Sequence, residues 1–190
     1  RFRNSYQSRW ANYFDPIAAT NAEHEGALAT LEAMVQTQNT VTQTLHLIAG
    51  AGDASNGLIV GEIINAIANR AEQNTPIDLT DSAQIQGIIV EAATKVKTQD
   101  PTLDLTRIAQ LAPAAAQIVA EANQYIDRVV ETAPLDSIHV EIAKAQKVAL
   151  GETSDALEQA GAGTISIEDT LADYTGLLLV AKIQRAVVPE

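Results

Sequence analysis

Apolar residues along Gly26–Gly50, read with the lead-in Thr20–Glu25, recur at helical spacing. On a seven-residue repeat one column holds His24, Leu31, Gln38 and Leu45, and the next holds Ala27, Met34, Val41 and Ile48. Leu28 and Val35 widen the stripe, as on the apolar face of a helix packed inside a bundle. The pattern predicts a long central helix with Gln38 as the one polar residue of a buried column. Thr20-Asn21-Ala22-Glu23 is a capping box that would open it, and Gly50-Ala51-Gly52 is a left-handed stop signal that would close it.

The same periodicity predicts further helices. One spans about 58–73, with Ile59, Ile63, Ile67 and Ala71 beside Val60, Ile64 and Ala68, and Thr75-Pro76 ends it. Another spans about 81–98, with Ile85, Ile88, Ile89, Ala92 and Val96 inward. Asp104–Ala112 reads as a short helix, and Pro113 as the start of a separate one reaching about Ala133. Past Pro134 and Asp136, a helix carries Ile138, Ile142, Ala145, Val148 and Ala149, with Gly151 as a weak point or an end. Gly161-Ala162-Gly163 breaks the chain, Ser166 recaps it, and one last helix runs through Leu171, Leu178 and Ile183 to about Val187. No segment alternates at period two for long, so the expectation is an all-α single bundle of about six helices with essentially no sheet. Asp78-Leu79-Thr80-Asp81 is echoed by Asp104-Leu105-Thr106-Arg107, which reads as reuse of a good helix start.

Ahead of the bundle, residues 1–13 hold Arg1, Arg3, Arg9, Phe2, Tyr6, Tyr13 and Trp10, an aromatic and basic segment or linker. Residues 14–190 form the bundle domain, which Asp15-Pro16 opens as a helix start. A chain of 190 residues suits one domain with a real core.

Composition narrows the function. The net charge of −12 repels phosphate backbones and anionic headgroups, and aromatics at 4% leave little to stack on bases, so nucleic-acid partners are disfavoured. The longest apolar run, Leu177–Ala181, is too short to enter and cross a bilayer, so no membrane insertion is expected. With no cysteine there is neither a disulfide nor a thiolate metal site. Arg1 in place of Met, with no apolar leader behind it, is expected of a piece of a longer or processed chain.

Candidate chemistry is thin. Glu23-His24-Glu25 is the most site-like trio, yet consecutive helical residues point about 100° apart and cannot converge on one ion. His46 precedes the terminal glycines of its helix, where an imidazole can serve the last carbonyls. Asp136 and His139 form a single Asp-x-x-His pair, short of the paired Glu-x-x-His motifs of a di-metal bundle. Asp53-Ala54-Ser55-Asn56-Gly57 begins like a calcium loop, but its glycine is one place early and Ile64 stands where the bidentate Glu belongs. Weak Ca2+ binding would fall to loop carboxylates at Asp78 and Asp81 or at Asp100 and Asp104, which capping explains better. No nucleophile elbow or phosphate loop occurs. The reading is therefore of no enzyme, with no catalytic, cofactor or metal residues assigned.

Four phrases add a resemblance: Phe14-Asp15-Pro16-Ile17-Ala18-Ala19, Val35-Gln36-Thr37-Gln38-Asn39-Thr40-Val41, Ile77-Asp78-Leu79-Thr80-Asp81 and Ala172-Asp173-Tyr174-Thr175-Gly176. In this order they resemble a helical module of large secreted bacterial surface proteins, the calcium-binding repeats-in-toxin adhesins. The resemblance covers about residues 14–187, and neither residues 1–13 nor any calcium repeat belongs to it. It implies an extracellular or cell-surface, non-catalytic structural or adhesive module, whose partners are neighbouring domains of the same polypeptide or other surface proteins. The rival is a ligand-binding or sensory bundle holding a small apolar molecule, which would need an internal cavity lined by residues such as Met34, Val41 and Ile63.

Overall fold

The computed structural model describes residues 26–72 and 77–188. Among the described residues eight α-helical segments follow one another: α1 (Ala27–Gly50), α2 (Asn56–Glu72), α3 (Ser82–Gln99), α4 (Leu105–Thr132), α5 (Ile138–Val148), α6 (Ser154–Ala162), α7 (Ile167–Asp173) and α8 (Gly176–Arg185). A π-helical turn, Ala149–Thr153, joins α5 to α6 without a break, so these segments make seven continuous helices. No strand occurs among the described residues, and the expected all-α bundle is what the chain forms. The expected segment 1–13, Asp15-Pro16, the capping box at Thr20, the Glu23-His24-Glu25 trio and the stop at Thr75-Pro76 lie outside the described residues.

Helix starts follow the local chemistry closely. Asp81 accepts from the Ala83 N–H (2.8 Å) at the head of α3, and Asp104 accepts from the Arg107 N–H (2.9 Å) at the head of α4. Ser166 Oγ accepts from Glu168 and Asp169 N–H at the head of α7. Such caps contribute about 1 kcal/mol each by satisfying donors that the first turn cannot. The structural echo runs between other residues than the sequence echo. Asp78 Oδ1 accepts from both the N–H and the hydroxyl of Thr80, and Asp100 Oδ1 does the same with Thr102.

Three expected boundaries fall differently. Pro113 does not start a helix but lies inside α4. Its ring faces solvent, while Ile108, Leu111 and Ala112 before it and Ala115, Ala116 and Val119 after it bury on one face. Burial across the proline outweighs the roughly 3 kcal/mol a helix-interior proline costs. Gly151 is not an end: it sits in the π turn, where the helix departs from α geometry and then continues. The last helix is two helices: the chain turns at Tyr174–Thr175, and Gly176, at φ 57, donates its N–H to Glu121 Oε2 on α4 (2.5 Å).

The glycines at 50–52 also act otherwise than expected. α1 stops there, but Ala51 has φ −97 and neither Gly50 nor Gly52 is left-handed. These glycines serve close approach. A Cβ on Gly50 would overlap the carbonyl oxygen of Glu158 on α6, and one on Gly161 would overlap the carbonyl oxygen of Leu47 on α1. A Cβ on Gly52 would stand 2.9 Å from Leu103 Cα, where the Ala51 carbonyl accepts the Asp104 N–H at 2.9 Å. The left-handed stop occurs later, at Gly163 (φ 78).

α1 and α4 share the centre. α1 packs on α2, α4, α6 and the π turn; α4 packs on α1, α3, α5 and α7. The buried face of α1 is not the seven-residue column. Ala27, Leu31, Val35, Asn39, Gln43 and Leu47 form one ridge of four-residue steps, and Gln36, Thr40, Thr44 and Ile48 form the ridge beside it. Ridges of that kind seat into grooves of neighbouring helices, whereas a heptad column belongs to a coiled-coil seam. Gln38 is accordingly exposed, with its Oε1 accepting from Gln146 Nε2 at 3.0 Å, and Met34 is 53% exposed.

Following those ridges exposes the plan of the core. One apolar cluster gathers Leu47, Ile59, Ile63, Ile85, Ile88, Ile89, Leu103, Ile108, Ile118 and Leu157 among others. A second gathers Leu31, Val35, Ile126, Val129, Ile138, Ile142, Leu179 and Ile183. Between them each long element turns polar. α1 contributes Asn39, Thr40, Gln43 and Thr44, α4 contributes Asn123, and the π turn and the residue after it contribute Thr153 and Ser154, all essentially without solvent exposure. The bundle has a polar waist.

Candidate functional site

The residues singled out in the sequence do not gather. His46 Nδ1 meets Glu158 Oε2 at 2.6 Å, tying α1 to α6, so its partner is a carboxylate rather than the last carbonyls of its own helix. His139 sits half-buried on α5, and Asp136 lies exposed before that helix begins. Asp53 contributes its backbone N–H to Thr102 Oγ1 (3.3 Å), and Ser55 Oγ accepts the Leu58 N–H (3.4 Å) at the head of α2, so this stretch serves as a helix lead-in. Asp78 and Asp100 are engaged by Thr80 and Thr102, and those hydrogen bonds hold both carboxyls below the usual aspartate range. Asp81 and Asp104 are the caps already described. Among the described residues no three His, Asp or Glu side chains converge to hold a metal ion.

Two other carboxylates show how the acidic surface is managed. Burial pushes Glu91 up, but hydrogen bonds from Asn69 Nδ2 (3.0 Å) and Arg70 Nη1 (2.6 Å) outweigh it, and its pKa lies below the usual range. Glu32 goes the other way. Burial raises it, Asp127 adds to the rise through a hydrogen bond and its charge, Glu131 adds repulsion, and the hydrogen bond from Gln36 (2.9 Å) opposes only part of this.

The surface feature that stands out is an open groove of about 980 Å³ along α1. All its lining residues but Gln146 of α5 come from α1, and they run from Ala29 to Thr42. Ala29, Ala33, Thr37 and Val41 form one four-residue ridge, with Thr30, Met34, Gln38 and Thr42 beside it. This is the flank next to the buried ridges, and Leu31 and Val35 carry it down to the second core cluster. Small alanines keep the groove low, and Met34 supplies an apolar, adaptable side chain at its middle.

By spacing alone, Met34 and Val41 belong inside the fold and Ile63 with them. Ile63 is fully buried in the first core cluster and lines no part of the groove. The signal for the groove is nonetheless present in the spacing: two ridges rich in Ala and Thr, carrying one Met, beside two ridges that hold larger apolar and amide side chains. No helix of the described residues is long and apolar enough to cross a membrane. No protein-family model, curated protein or solved structure matches the chain.

Proposed function

We propose that this chain is a non-catalytic structural or adhesive module of a larger secreted bacterial cell-surface protein, and that it meets a neighbouring domain of the same polypeptide through the α1 groove. The observation that carries this reading is the groove: a continuous, mostly apolar flank of α1 from Ala29 to Thr42, with Met34 half-exposed at its middle. A flank of one helix with small residues on two ridges suits an amphipathic helix laid alongside it. Gly26 opens α1 three residues before the groove begins at Ala29, so the chain ahead of α1 joins the helix at the groove's end. Covalent tethering raises a partner's effective concentration, to about the millimolar range where the linker is short and flexible. The assignment to secreted adhesins of the calcium-binding repeats-in-toxin type rests on the sequence resemblance.

The rival reading, a small apolar ligand, is less well supported by the same groove. A drug-sized ligand in a formed site has about 70–90% of its surface covered. One helix flank and a single glutamine of α5 leave most of such a guest in water.

A photo-crosslinking residue placed at Ala33 in the full-length protein on its native cell tests the reading. Adducts within the same polypeptide are the expected result. An extracted small apolar molecule as the major adduct supports the rival, and no adduct at Ala33 together with unchanged domain association in Met34→Asp overturns the groove as a contact surface.

A further inference from the structure

The polar waist holds more hydrogen-bonding capacity than the protein itself uses. Part of it is closed on itself. Asn39 Nδ2 donates to Asn123 Oδ1 (3.2 Å), and Asn123 Nδ2 donates to Thr40 Oγ1 (3.0 Å) and to the Leu79 carbonyl (2.7 Å). Ser154 Oγ donates to the Ala149 carbonyl (2.8 Å), across the π turn. The rest is open. Asn39 Oδ1, both Oε1 and Nε2 of Gln43, Thr44 Oγ1 and Thr153 Oγ1 have no hydrogen-bond partner within the protein, and all four residues are at most 1% exposed. The large majority of buried side-chain polar atoms in native proteins are paired with protein or with ordered solvent. Five unpaired atoms in one layer, between two apolar clusters, point to a guest that the layer is built to hold.

The chemistry of the five atoms selects the guest. Three kinds of group are present: amide oxygens that accept, an amide nitrogen that donates, and hydroxyls that do either. No carboxylate is among them, so nothing offsets the dehydration of an ion, and the Gln43 amide N–H groups would repel a cation. A small neutral molecule that both donates and accepts fits the set. We propose that the waist is an internal hydration site, in which Gln43, Thr44, Thr153 and Asn39 bind long-lived buried water. The π turn belongs to this site: it packs against α1 and presents Thr153 toward the layer, at the point where a uniform α-helix would carry the chain out of phase.

Water-relaxation dispersion on the intact protein, combined with water cross-peaks to the Gln43 side-chain amide in NMR, tests the proposal. Wild type is expected to show a dispersion step from buried water and direct cross-peaks at Gln43 Nε2–H. The double variant Gln43→Leu, Thr153→Val is expected to lose most of the step while keeping its helical circular dichroism, and Gln38→Leu, on the exposed face of the same helix, is expected to keep it. A wild-type spectrum without water cross-peaks at Gln43, or with cross-peaks only to protein groups, overturns the proposal and needs no folded variant. Thermal midpoints in sodium, potassium and choline chloride at equal ionic strength give a second arm. Equal midpoints agree with water, and a midpoint raised by sodium or potassium alone overturns it in favour of a bound cation.

Discussion

Replacing Gly50 by alanine isolates the close crossing of α1 and α6. The backbone at Gly50 is not left-handed, so alanine meets no conformational barrier there. Its methyl group, however, would overlap the Glu158 carbonyl oxygen and stand 2.9 Å from the Ala162 nitrogen. Both obstacles are main chain inside a helix, and neither can rotate aside as a side chain would. The helices must move apart by roughly 1 Å, a gap that forfeits a quarter to a half of the dispersion attraction of the atoms it opens. Overpacking of this kind costs about 1–3 kcal/mol, and the helix preference of alanine over glycine returns at most about 1 kcal/mol. The net expectation is a loss of about 2 kcal/mol. For a chain of this size, that lowers the thermal midpoint by about 4–8 °C. Gly61 is the control: it lies exposed within α2, and a Cβ there would have nothing within 4 Å, so Gly61→Ala should raise stability by about 0.5–1 kcal/mol. Urea unfolding of the two variants, with wild type, gives the comparison directly. A Gly50→Ala protein as stable as Gly61→Ala refutes the crossing. Gly161 lies against the same contact, 3.2 Å from its Cβ position to Gly50 Cα, so Gly161→Ala should cost a similar amount and the double variant less than the sum.

Other positions give sharper local readings. Arg107 donates through Nε to the Gly161 carbonyl (2.7 Å) and through Nη2 to the Ala160 carbonyl (2.6 Å); Arg107→Met should cost about 1.5–3 kcal/mol, measured by urea unfolding, and raise amide exchange at the end of α6. Ser166→Ala should cost about 1 kcal/mol through the lost cap of α7, and Ser166→Asp should restore most of it. Glu32 has its folded-state pKa raised, so the folded protein binds its proton more tightly than the unfolded chain does, and its contribution falls as pH rises from the unfolded value through the raised one. Glu32→Gln should therefore be more stable than wild type at pH 7, by about 0.2–1 kcal/mol, and thermal melts should show the advantage shrinking as pH falls through that window. An advantage that grows on acidification would contradict the assignment. Glu91 has the opposite sign: its pKa is lowered, so its contribution is present above the unfolded carboxylate value and lost as pH falls through the folded one, and the effect of Glu91→Gln should fade in acid.

The parts of this fold legible in the sequence are those decided within a few residues. Asp81, Asp104 and Ser166 cap helices because a short polar side chain reaches its own neighbouring N–H groups, whatever the rest of the chain does. The inward face of α3 is legible for a related reason: Ile85, Ile88, Ile89, Ala92 and Val96 leave one side of a helix no other use. What depends on partners is not legible. Whether an amide on α1 is buried is settled by which ridge the other helices accept, so spacing puts Gln38 inside and gives no sign of Gln43. Pro113 reads as a boundary until burial on both sides of it is counted. Met34 misleads in the same way, since it matches a buried column in composition and differs from one only by its place on the helix, whereas Val41 of that column is half-buried against the first core cluster.

The π turn at Ala149–Thr153 carries a consequence for how this chain could have changed length. It is one residue longer than the α-helical turn it replaces, and each residue in a helix advances the face by about 100°. Straightening the turn into α-helix with every residue kept would swing all of α6 around its axis. Gly161 would no longer lie against Gly50, Glu158 would leave His46, and the carbonyls of Ala160 and Gly161 would turn from Arg107. Removing one residue would instead leave a regular helix with α6 in nearly its present phase. The wide turn thus takes up one surplus residue, and three tethers between α6 and the rest of the bundle keep their alignment because it does.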